Sequence, residues 1–597
     1  MLLKGFSSQQ VMNKKEPQTV SEMTYEPGVW DLSELVPQGI EKAKQEIEAK
    51  TKAFEAWKPK LKPDIPAETV VKISDELCAL RTLSSKLSHL VELEFSAETA
   101  DPKISADSAH VGMFLTDIGN RLIFFSHWFK KLPENEAKRI IAGAGKHARV
   151  FELIWKNRQY SLDEEQEKIV SIKDSNGIDA LQKVYSVMTS AYKYPLRGKL
   201  MTRDELTNCY KSGDASLRKE AYAVLLDTFK KDKDVLGEIY RAVAMDWFQE
   251  NVNLRKFNGT MQARNVRNDL PDNVVDALLK ATEKNWQVFH RYFEVKRRKL
   301  GLDKMRRHDV YAAIGGDEKM SYPDAVKTVL RTFSAFSPDF AAKAQRVLDE
   351  KHVHAILKPN KTTGAFCATV SPEVTPYVLM NYAGTLDNAS TLAHELGHAV
   401  HSLLASKHTI MTQHAGIPLA ETASIFAETL MVEELIKDPK REEALLFGRL
   451  DDAYASIIRQ VSFVLFERKA HEMLRQGKST QELENAYLEL LKQNVGPNVE
   501  VDDSFRYEWY AIPHIYNTPF YCYGYAFGNL MAFAFYEKFR KEGAKAVPQI
   551  LAFFEAGGSE APIEIAKRVG VDITSEKFWQ QGFDFIKSMV ERAEKLA

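Results

Sequence analysis

Chain-breaking residues are scarce in this sequence. Glycine (29) and proline (22) together make up 51 of its 597 residues, against a usual combined share of roughly 12%. Apolar residues recur at helical spacing, as in Glu41–Leu61, where Ile47, Phe54 and Trp57 fall on nearly one face. Similar amphipathic segments continue to about residue 301, and after the two β-prone runs described below the helical pattern returns and continues until the end of the chain. We therefore predict a mainly α-helical protein.

Composition excludes several functional classes. The hydrophobic fraction of 44% and the charged fraction of 27% are those of a soluble globular protein, not a disordered or fibrous one. Lys plus Arg (81) balances Asp plus Glu (82), so we expect no nucleic-acid partner and no membrane partner. Four scattered cysteines without a CxxC pair fit a reducing compartment. With no signal-peptide or membrane-span pattern, the sequence predicts a cytoplasmic protein and leaves its oligomeric state open.

The chain is too long for one ordinary core. We predict a mobile leader at residues 1–25, an N-terminal helical region at 26–190 and a second helical region at 191–597 that carries the motifs below. Two short β-prone runs interrupt the helical pattern, at Gly364–Ser371 and Tyr377–Tyr382. They predict two strands that pair in a small sheet.

The strongest motif is Thr391–His398, with the sequence TLAHELGH. On a helix His394 and His398 are displaced by only about 40°, so both imidazoles can reach one metal ion. Two neutral imidazoles favour zinc and leave a coordination position open for water. Glu395 lies between them, where its carboxylate can accept a proton from water attacking a carbonyl group. The motif predicts one Zn²⁺ per chain and a hydrolase.

The flanking residues indicate that this motif is helical. Asp387, Asn388 and Ser390 are candidates for the helix cap. A buried stripe at helical spacing follows: Leu392, Leu396, Ala399, Val400 and Leu403. The histidines lie off that stripe and are available to a ligand.

The third metal ligand must come from elsewhere. The extended metzincin pattern requires a glycine and a histidine at the positions held here by His401 and Leu404, so that class is excluded. We interpret His401 as a residue that packs the helix or contacts a metal ligand without binding the metal itself. A later helix begins at Gly416–Pro418 and places Glu421 and Glu428 on one face, seven residues apart, among apolar neighbours. One of the two glutamates should bind the metal. The other should hydrogen-bond to a histidine ligand and orient its ring.

A polar aromatic segment lies further along the chain. Ten of the 23 residues from 505 to 527 are aromatic, and seven of those are Tyr or Trp. Thr518–Pro519 resembles a helix cap and first turn, which would place Tyr521 and Tyr525 on one face with Tyr523 turned away. His514 lies just before. A phenol or imidazole donor is what an amide-hydrolysing site needs to stabilise an oxyanion, but spacing alone does not select which one.

With these motifs the sequence resembles the oligoendopeptidase F branch of the thimet-oligopeptidase family of zinc metallopeptidases. The matching stretches are GAF at Gly364–Phe366, LMNYAGTLDNASTLAHELGHAVHS at Leu379–Ser402, LAETASIFAE at Leu419–Glu428 and HIYNTPFYCYGYAFG at His514–Gly528. A weaker likeness extends from about residue 110 to 590.

The resemblance implies a clam- or bowl-shaped helical fold, with zinc in an internal channel, and hydrolysis of internal bonds in short peptides. Its ligands would be His394, His398 and Glu421, and its general base Glu395. The transition-state donors would be His514, Tyr525 and Tyr521. The predicted small sheet would then hold an extended peptide along one of its edges, with Ala365–Ser371 and Tyr377–Tyr382 as the candidate strands.

Two alternatives stay open. A zinc metallocarboxypeptidase of related helical fold would require a cationic pocket for the free carboxylate of its substrate. A non-catalytic helical peptide-binding protein would keep the motif as structure, although metal binding alone would not need Glu395. An aminopeptidase is less consistent, because no amine-anchoring GxMEN-like motif occurs.

Overall fold

The computed structural model describes residues 25–316 and 318–597, and within them 25 α-helices dominate over seven short strands. The predicted mainly α-helical fold class is confirmed. The predicted leader at residues 1–25 lies outside the described residues except for Tyr25. No helix in the described part of the chain is both long enough and apolar enough to cross a membrane.

The helices before the three-stranded sheet are α1 (Ile40–Glu55), α2 (Ala67–Ala97), α3 (Pro102–Lys130), α4 (Glu134–Gly143), α5 (Ala148–Asn157), α6 (Glu164–Asn176), α7 (Ile178–Ser190), α8 (Arg203–Asn208), α9 (Ala215–Lys231), α10 (Lys233–Phe248), α11 (Thr260–Arg267), α12 (Asp272–Lys284), α13 (Trp286–Lys299), α14 (Tyr322–Phe336) and α15 (Pro338–Asp349). Those after it are α16 (Leu386–Leu404), α17 (Ile417–Leu435), α18 (Pro439–Ala453), α19 (Arg459–Arg475), α20 (Thr480–Val495), α21 (Pro513–Asn517), α22 (Tyr523–Glu542), α23 (Val547–Glu555), α24 (Pro562–Arg568) and α25 (Glu576–Leu596).

Shorter helical pieces connect these elements. The 3₁₀ helices are Lys58–Lys60, Gly145–His147, Arg158–Tyr160, Cys209–Lys211, Arg307–Asp309, Ala405–Lys407, Asp503–Ala511 and Gly543–Lys545, and the π-helical turns are Gln249–Leu254 and Tyr454–Ile458.

The strands form three small sheets. They are β1 (Tyr194–Leu196), β2 (Lys199–Met201), β3 (Met305–Arg306), β4 (Val353–His354), β5 (Phe366–Ala368), β6 (Tyr377–Leu379) and β7 (Val499–Glu500). Strands β1 and β2 form an antiparallel hairpin, and β3 pairs with β7 in parallel. The sequence analysis missed the β1–β2 hairpin, whose turn at Arg197 and Gly198 has positive φ angles of 48° and 79°. Positive φ angles at both central residues are typical of the two-residue turns that join adjacent strands of a β-hairpin.

The sheet beside α16 has the order β4-β6-β5. The predicted pairing of β5 with β6 is confirmed: it is antiparallel, with Cys367 opposite Val378. Strand β4, which was not predicted, adds in parallel to the other side of β6. Because β6 is therefore the central strand, the expectation that Tyr377–Tyr382 offers a free edge is wrong. Within this sheet β5 is an edge strand.

Two hydrophobic cores meet at this sheet. The smaller core gathers buried residues of the range 30–151, and the larger core gathers buried residues from Tyr185 to Ala593. Strand β6 joins them, because Tyr377 and Leu379 pack in the smaller core while Val378 packs in the larger one, as the alternation of a strand requires. The division at residue 190 remains a prediction.

The helix that carries TLAHELGH is α16, and its start differs from the prediction. Its cap is Thr385, whose Oγ1 accepts the backbone N–H of Asn388, while the side chain of Asn388 accepts the N–H of Thr385 in return. The prediction of Asp387 and Ser390 as caps is wrong, because the cap residue is Thr385; Asn388 takes part in the cap as the third residue of the helix, in the reciprocal capping box. The buried stripe through Leu392, Leu396, Ala399, Val400 and Leu403 is confirmed.

Candidate active site

Helix α16 presents His394 and His398 side by side. Their ring centroids lie 5.0 Å apart, and each side chain is about three-quarters buried. Between them Gly397 allows α17 to approach closely, since a Cβ atom at that position would lie 2.7 Å from both the Cβ of Ala427 and the Cα of Ser424. The absence of a side chain at Gly397 therefore sets the spacing between the two helices.

That close packing brings Glu421 of α17 to the two histidines. Its Oε2 lies 3.4 Å from Nε2 of His394 and 3.4 Å from Nε2 of His398. One ligand atom from each of the three residues lies within 4.8 Å of the others. Two imidazoles and one carboxylate, with room for a further ligand, form the donor set of catalytic zinc sites. The sequence-predicted trio thus comes together in a geometry that can hold a metal ion.

Helix α22 packs against α17 at the same position. A Cβ atom on Gly528 would lie 2.8 Å from the Cβ of Glu421. Ser424 fixes the carboxylate further, because its Oγ donates to Glu421 Oε2 at 3.2 Å. Glu421 is therefore held by a residue of its own helix and by the packing of α22.

Glu428 contacts the opposite side of the His394 ring. Its Oε2 lies 3.1 Å from Nδ1 of His394, and its Oε1 accepts from Nη1 of Arg449 at 2.6 Å. Arg449 also donates to Oγ1 of Thr429 at 2.9 Å. With Nδ1 protonated and bonded to Glu428, Nε2 keeps the lone pair that a metal requires. Sequence analysis missed Arg449, which lies on α18 outside any motif.

The electrostatics of this cluster favour a positive charge. Burial opposes protonation of His394, but hydrogen bonds to Glu421 and Glu428 outweigh it and raise its pKa to about 10. Burial would raise the pKa of Glu421, yet the hydrogen bonds from His394 and His398 lower it well below its usual range. The three groups together bind positive charge strongly, as a cation site must.

Glu395 differs from the other two carboxylates. It is only 6% exposed, and its Oε2 has no hydrogen-bond partner among the described residues. Burial raises its pKa, while His394 and His398 oppose that rise. A buried carboxyl oxygen without a protein partner is expensive to maintain, which is consistent with a group that serves a ligand or water in the site.

A cavity of about 370 Å³ opens at these residues. Its walls include His394, Glu395, His398 and Glu421 from the helices, and residues 365–367 from β5 and its approach. The edge strand therefore borders the same space as the candidate metal ligands.

His514, Tyr521 and Tyr525 form a second cluster. Nε2 of His514 lies 3.2 Å from Oη of Tyr525. The Tyr521 ring lies 5.4 Å from that of Tyr525 and 6.0 Å from that of His514, centroid to centroid. Burial raises the pKa of Tyr525, and burial together with Arg459 lowers the pKa of His514. The Glu421 carboxylate adds to the rise in the pKa of Tyr525, so the cluster lies near the candidate ligand trio, but it does not line the 370 Å³ cavity.

The backbone of this segment differs from the predicted helix. Helix α21 ends at Asn517 and α22 begins only at Tyr523, so Thr518–Pro519 is not a helix start. Phe520 has a φ of 59°, in the left-handed region, and interrupts the helix. Tyr521 and Tyr525 still meet, through this turn and not through helical spacing. Tyr523 is turned away as expected, and its Oη accepts from Asn268 at 2.8 Å.

His401 is not brought to the ligand trio. It is 8% exposed and its ring packs against Phe554 at 5.7 Å between centroids. Burial lowers its pKa to about 4, so it stays neutral. Its packing on Phe554 agrees with the interpretation from the sequence, and His401 also borders the 370 Å³ cavity.

Known proteins resemble this chain in sequence and in fold. The sequence model described as "Peptidase family M3" matches residues 209–585, more than half of the chain. Oligopeptidase PepF of Bacillus subtilis is 28% identical over 466 residues, which cover 75% of this chain and 69% of that protein. An oligoendopeptidase F homolog of Borreliella burgdorferi is 27% identical over 595 residues, which cover 95% of this chain and 98% of that protein.

Solved structures share the fold. A crystal structure from Chlamydophila abortus superposes with a TM-score of 0.85 at 24% identity, covering 97% of this chain and 99% of the other. Oligoendopeptidase-F from Enterococcus faecium superposes with a TM-score of 0.70 at 21% identity, covering 94% of this chain and 99% of the other. The resemblance to the oligoendopeptidase F branch and the prediction of a metalloendopeptidase are confirmed. This chain belongs to peptidase family M3.

Proposed function

We propose that this protein is a zinc-dependent endopeptidase that hydrolyses internal bonds of short peptides. The observation that carries the proposal is the convergence of His394, His398 and Glu421 on one point, within 4.8 Å, beside the unpartnered carboxyl oxygen of Glu395. The names of the B. subtilis and B. burgdorferi relatives, an oligopeptidase and an oligoendopeptidase, support the same substrate class.

The metal would be held by Nε2 of His394, Nε2 of His398 and the carboxylate of Glu421. A zinc ion bound there would supply Lewis-acid polarisation of the scissile carbonyl and would make water more acidic. Glu428 and Arg449 would keep the His394 ring in the orientation that binding requires.

Glu395 would move the protons of the reaction. Its carboxylate takes a proton from the attacking water, and the same oxygen then delivers that proton to the nitrogen of the leaving amine. The burial of Glu395 suits this task, because it raises the pKa of the carboxyl group and brings its basicity closer to that required near neutral pH.

The tyrosine cluster would stabilise the developing oxyanion. The phenol of Tyr525 stays protonated well above neutral pH, since burial raises its pKa, and it can therefore donate a hydrogen bond throughout the reaction. His514 and Tyr521 are the neighbouring donors. Their motion towards the substrate would complete the site, because catalytic hydrogen bonds often form only in the substrate complex.

The substrate would lie along β5. An extended peptide can add to the free edge of that strand by backbone hydrogen bonds, which carry little sequence specificity. Edge pairing suits peptides of some five to twenty residues, by the length of strand that a sheet edge can hold. A folded protein would have to give up roughly 5–15 kcal/mol of stability to present one strand in this way.

One quenched fluorescent peptide tests the proposal. The peptide is acetylated at its N-terminus and amidated at its C-terminus. Its cleavage rate is measured with the untreated protein, after treatment with a chelator, and after zinc is added back. We expect internal cleavage that the chelator abolishes and zinc restores. Cleavage only of peptides with a free C-terminus would favour the carboxypeptidase alternative, and binding without cleavage would favour the peptide-binding alternative.

A length series around the same cleavable sequence extends the test. We expect short peptides to be cut faster than a denatured full-length protein. Equal rates would argue for an open cleft and against an enclosed site.

A further inference from the structure

The turn that precedes Tyr521 is fixed by two buried ionisable side chains. The peptide group between Pro519 and Phe520 offers a carbonyl on one side and an N–H on the other. Arg264 of α11 donates its Nε–H to the Pro519 carbonyl at 2.9 Å. Glu467 of α19 accepts the Phe520 N–H on its Oε1, also at 2.9 Å. One peptide unit is thus bonded on both sides, and we call Arg264 and Glu467 the peptide clamp.

The clamp lies deep in the larger core. Glu467 is fully buried, and Arg264 is 8% exposed. Burial of a charged side chain is costly unless its contacts repay it. The second carboxyl oxygen of Glu467 has no hydrogen-bond partner among the described residues. The Phe520 N–H is the hydrogen-bond contact that the structure shows for this carboxyl group.

The clamped peptide is also the unusual part of the backbone. Phe520 adopts a φ of 59° although it carries a bulky side chain, a conformation that only surrounding contacts can maintain. Its ring is fully buried and packs on His471, with centroids 4.9 Å apart. The next residue is Tyr521, whose N–H closes the turn onto the Thr518 carbonyl at 3.1 Å. Any change in the orientation of the clamped peptide moves Tyr521 first and the start of α22 after it.

We propose that Glu467 and Arg264 are positioning residues for catalysis, which hold the Pro519–Phe520 peptide so that Tyr521 and Tyr525 reach the substrate. This inference rests on the donor roles proposed above for the two tyrosines. The clamp touches neither the metal ligands nor the cavity at α16. Its loss should therefore change turnover without changing metal content.

The test compares Glu467→Leu with Glu467→Gln. Leucine fills a similar volume but cannot accept the Phe520 N–H, whereas the glutamine side chain keeps a carbonyl oxygen that can. We expect Glu467→Leu to lower kcat by roughly 10- to 100-fold, the scale of a misplacement of about 1 Å, with KM and bound zinc unchanged. Glu467→Gln should recover most of that loss.

A matched control separates catalysis from stability. Glu537 is another buried glutamate, on the far part of α22, where it pairs with Arg540 and Lys541. Glu537→Leu should lower the thermal midpoint and leave the kcat of the folded protein unchanged. If Glu467→Leu behaves in the same way, the clamp is only structural and the proposal is wrong.

A double-mutant cycle shows whether the clamp acts through the tyrosines. In a Tyr521→Phe/Tyr525→Phe background, Glu467→Leu should have little further effect on kcat, because the donors it positions are absent. An equal loss in both backgrounds would overturn the proposal. If the double tyrosine variant itself has wild-type kcat, the proposed donor roles are wrong, and that outcome is distinct from a failure of the clamp.

Arg264→Met provides a second route should Glu467→Leu fail to fold. It removes the donor to the Pro519 carbonyl and leaves the Glu467 contact in place. We expect a lower kcat with unchanged bound zinc. If the folded Arg264→Met protein has wild-type kcat, Arg264 does not position the peptide for catalysis and the proposal is wrong.

Discussion

Two regions of this molecule build the candidate site by different means. The ligand helices, α16 and α17, place His394, His398 and Glu421 by regular helical spacing. The tyrosine segment, residues 514–525, places its aromatic side chains through an irregular turn at Phe520. The first region relies on helical spacing within α16 and α17 and on their close approach at Gly397, with further support from Arg449 of α18. The second depends on side chains from α11 and α19, far away in the sequence.

The comparison shows where sequence patterns suffice. A regular helix fixes the direction of every side chain, so positions four or seven residues apart share a face. A left-handed residue breaks that rule, and the contacts that stabilise it leave no local pattern. We therefore expect changes in the ligand helices to affect metal binding or proton transfer, and changes in the tyrosine segment to affect turnover.

The largest effect should come from the ligand helices. Glu395→Gln keeps the shape of the side chain but removes the proton acceptor, so we expect kcat to fall by about 10²–10⁴-fold or more with normal bound zinc. Glu434→Gln on α17, where Glu434 pairs with Lys437 and Arg331 at some distance from the motif, is the control. Peptide turnover and metal content are measured together. Turnover of Glu395→Gln within tenfold of wild type would remove Glu395 as the base.

The tyrosine segment should show the next largest effect. Tyr525→Phe removes one hydrogen-bond donor, and we expect kcat to fall by about 10²–10³-fold with little change in KM. Tyr523→Phe, two residues earlier, is the matched control. It loses the hydrogen bond with Asn268, which should lower the free energy of unfolding by about 1 kcal/mol and leave kcat unchanged. Steady-state kinetics decide between them. A loss confined to KM would make Tyr525 a binding residue.

A smaller effect should follow from the support of the ligand helices. Arg449→Met removes the partner of Glu428 and should weaken zinc binding by about 10–100-fold. Arg441→Met is the control. Arg441 lies on the same helix but pairs with Glu318, so its replacement should leave zinc affinity unchanged. Competition with a chelator of known affinity measures both. Equal affinities would show that Glu428 does not need Arg449 to orient His394.

The smallest effect concerns the packing of the ligand helices. Gly397→Ala would force its new methyl group against the backbone of α17, at a cost of about 1–3 kcal/mol. Gly119→Ala in the exposed part of α3 meets no atom within 4 Å and should stabilise the protein by up to about 1 kcal/mol. Urea unfolding compares the two. If Gly397→Ala were as stable as the wild type, the close approach would not set the geometry of the ligand helices.

Much of this site could be predicted from the sequence, for identifiable reasons. The candidate positions His394, His398, Glu421 and Glu428 follow from regular spacing on two helices, and the structure brings all four together. Spacing alone does not select which glutamate binds the metal; the family resemblance selects Glu421. The β5–β6 pairing follows from two β-prone runs beside a helix. The metal-binding and catalytic roles of the site residues remain predictions, because the structure shows that the side chains are close together and does not show turnover.

Other features depended on contacts that a local pattern does not contain. The third strand of the sheet, β4, lies more than 20 residues before β6 in the sequence and made the predicted edge strand Tyr377–Tyr382 central. Thr518–Pro519 reads locally as a helix start, but Arg264 and Glu467 hold the next peptide in a turn. Arg449 is an isolated charge on α18, and only the fold brings it to Glu428.

The most direct test of the central claim is the zinc content of single alanine variants of His394, His398, Glu421 and Glu428, measured on purified folded protein by inductively coupled plasma mass spectrometry. We expect about one zinc per chain in the wild type, loss of metal and activity in the first three variants, and weakened but detectable zinc binding in Glu428→Ala. Full zinc occupancy in Glu421→Ala, with loss in Glu428→Ala, would show that Glu428 and not Glu421 is the third ligand.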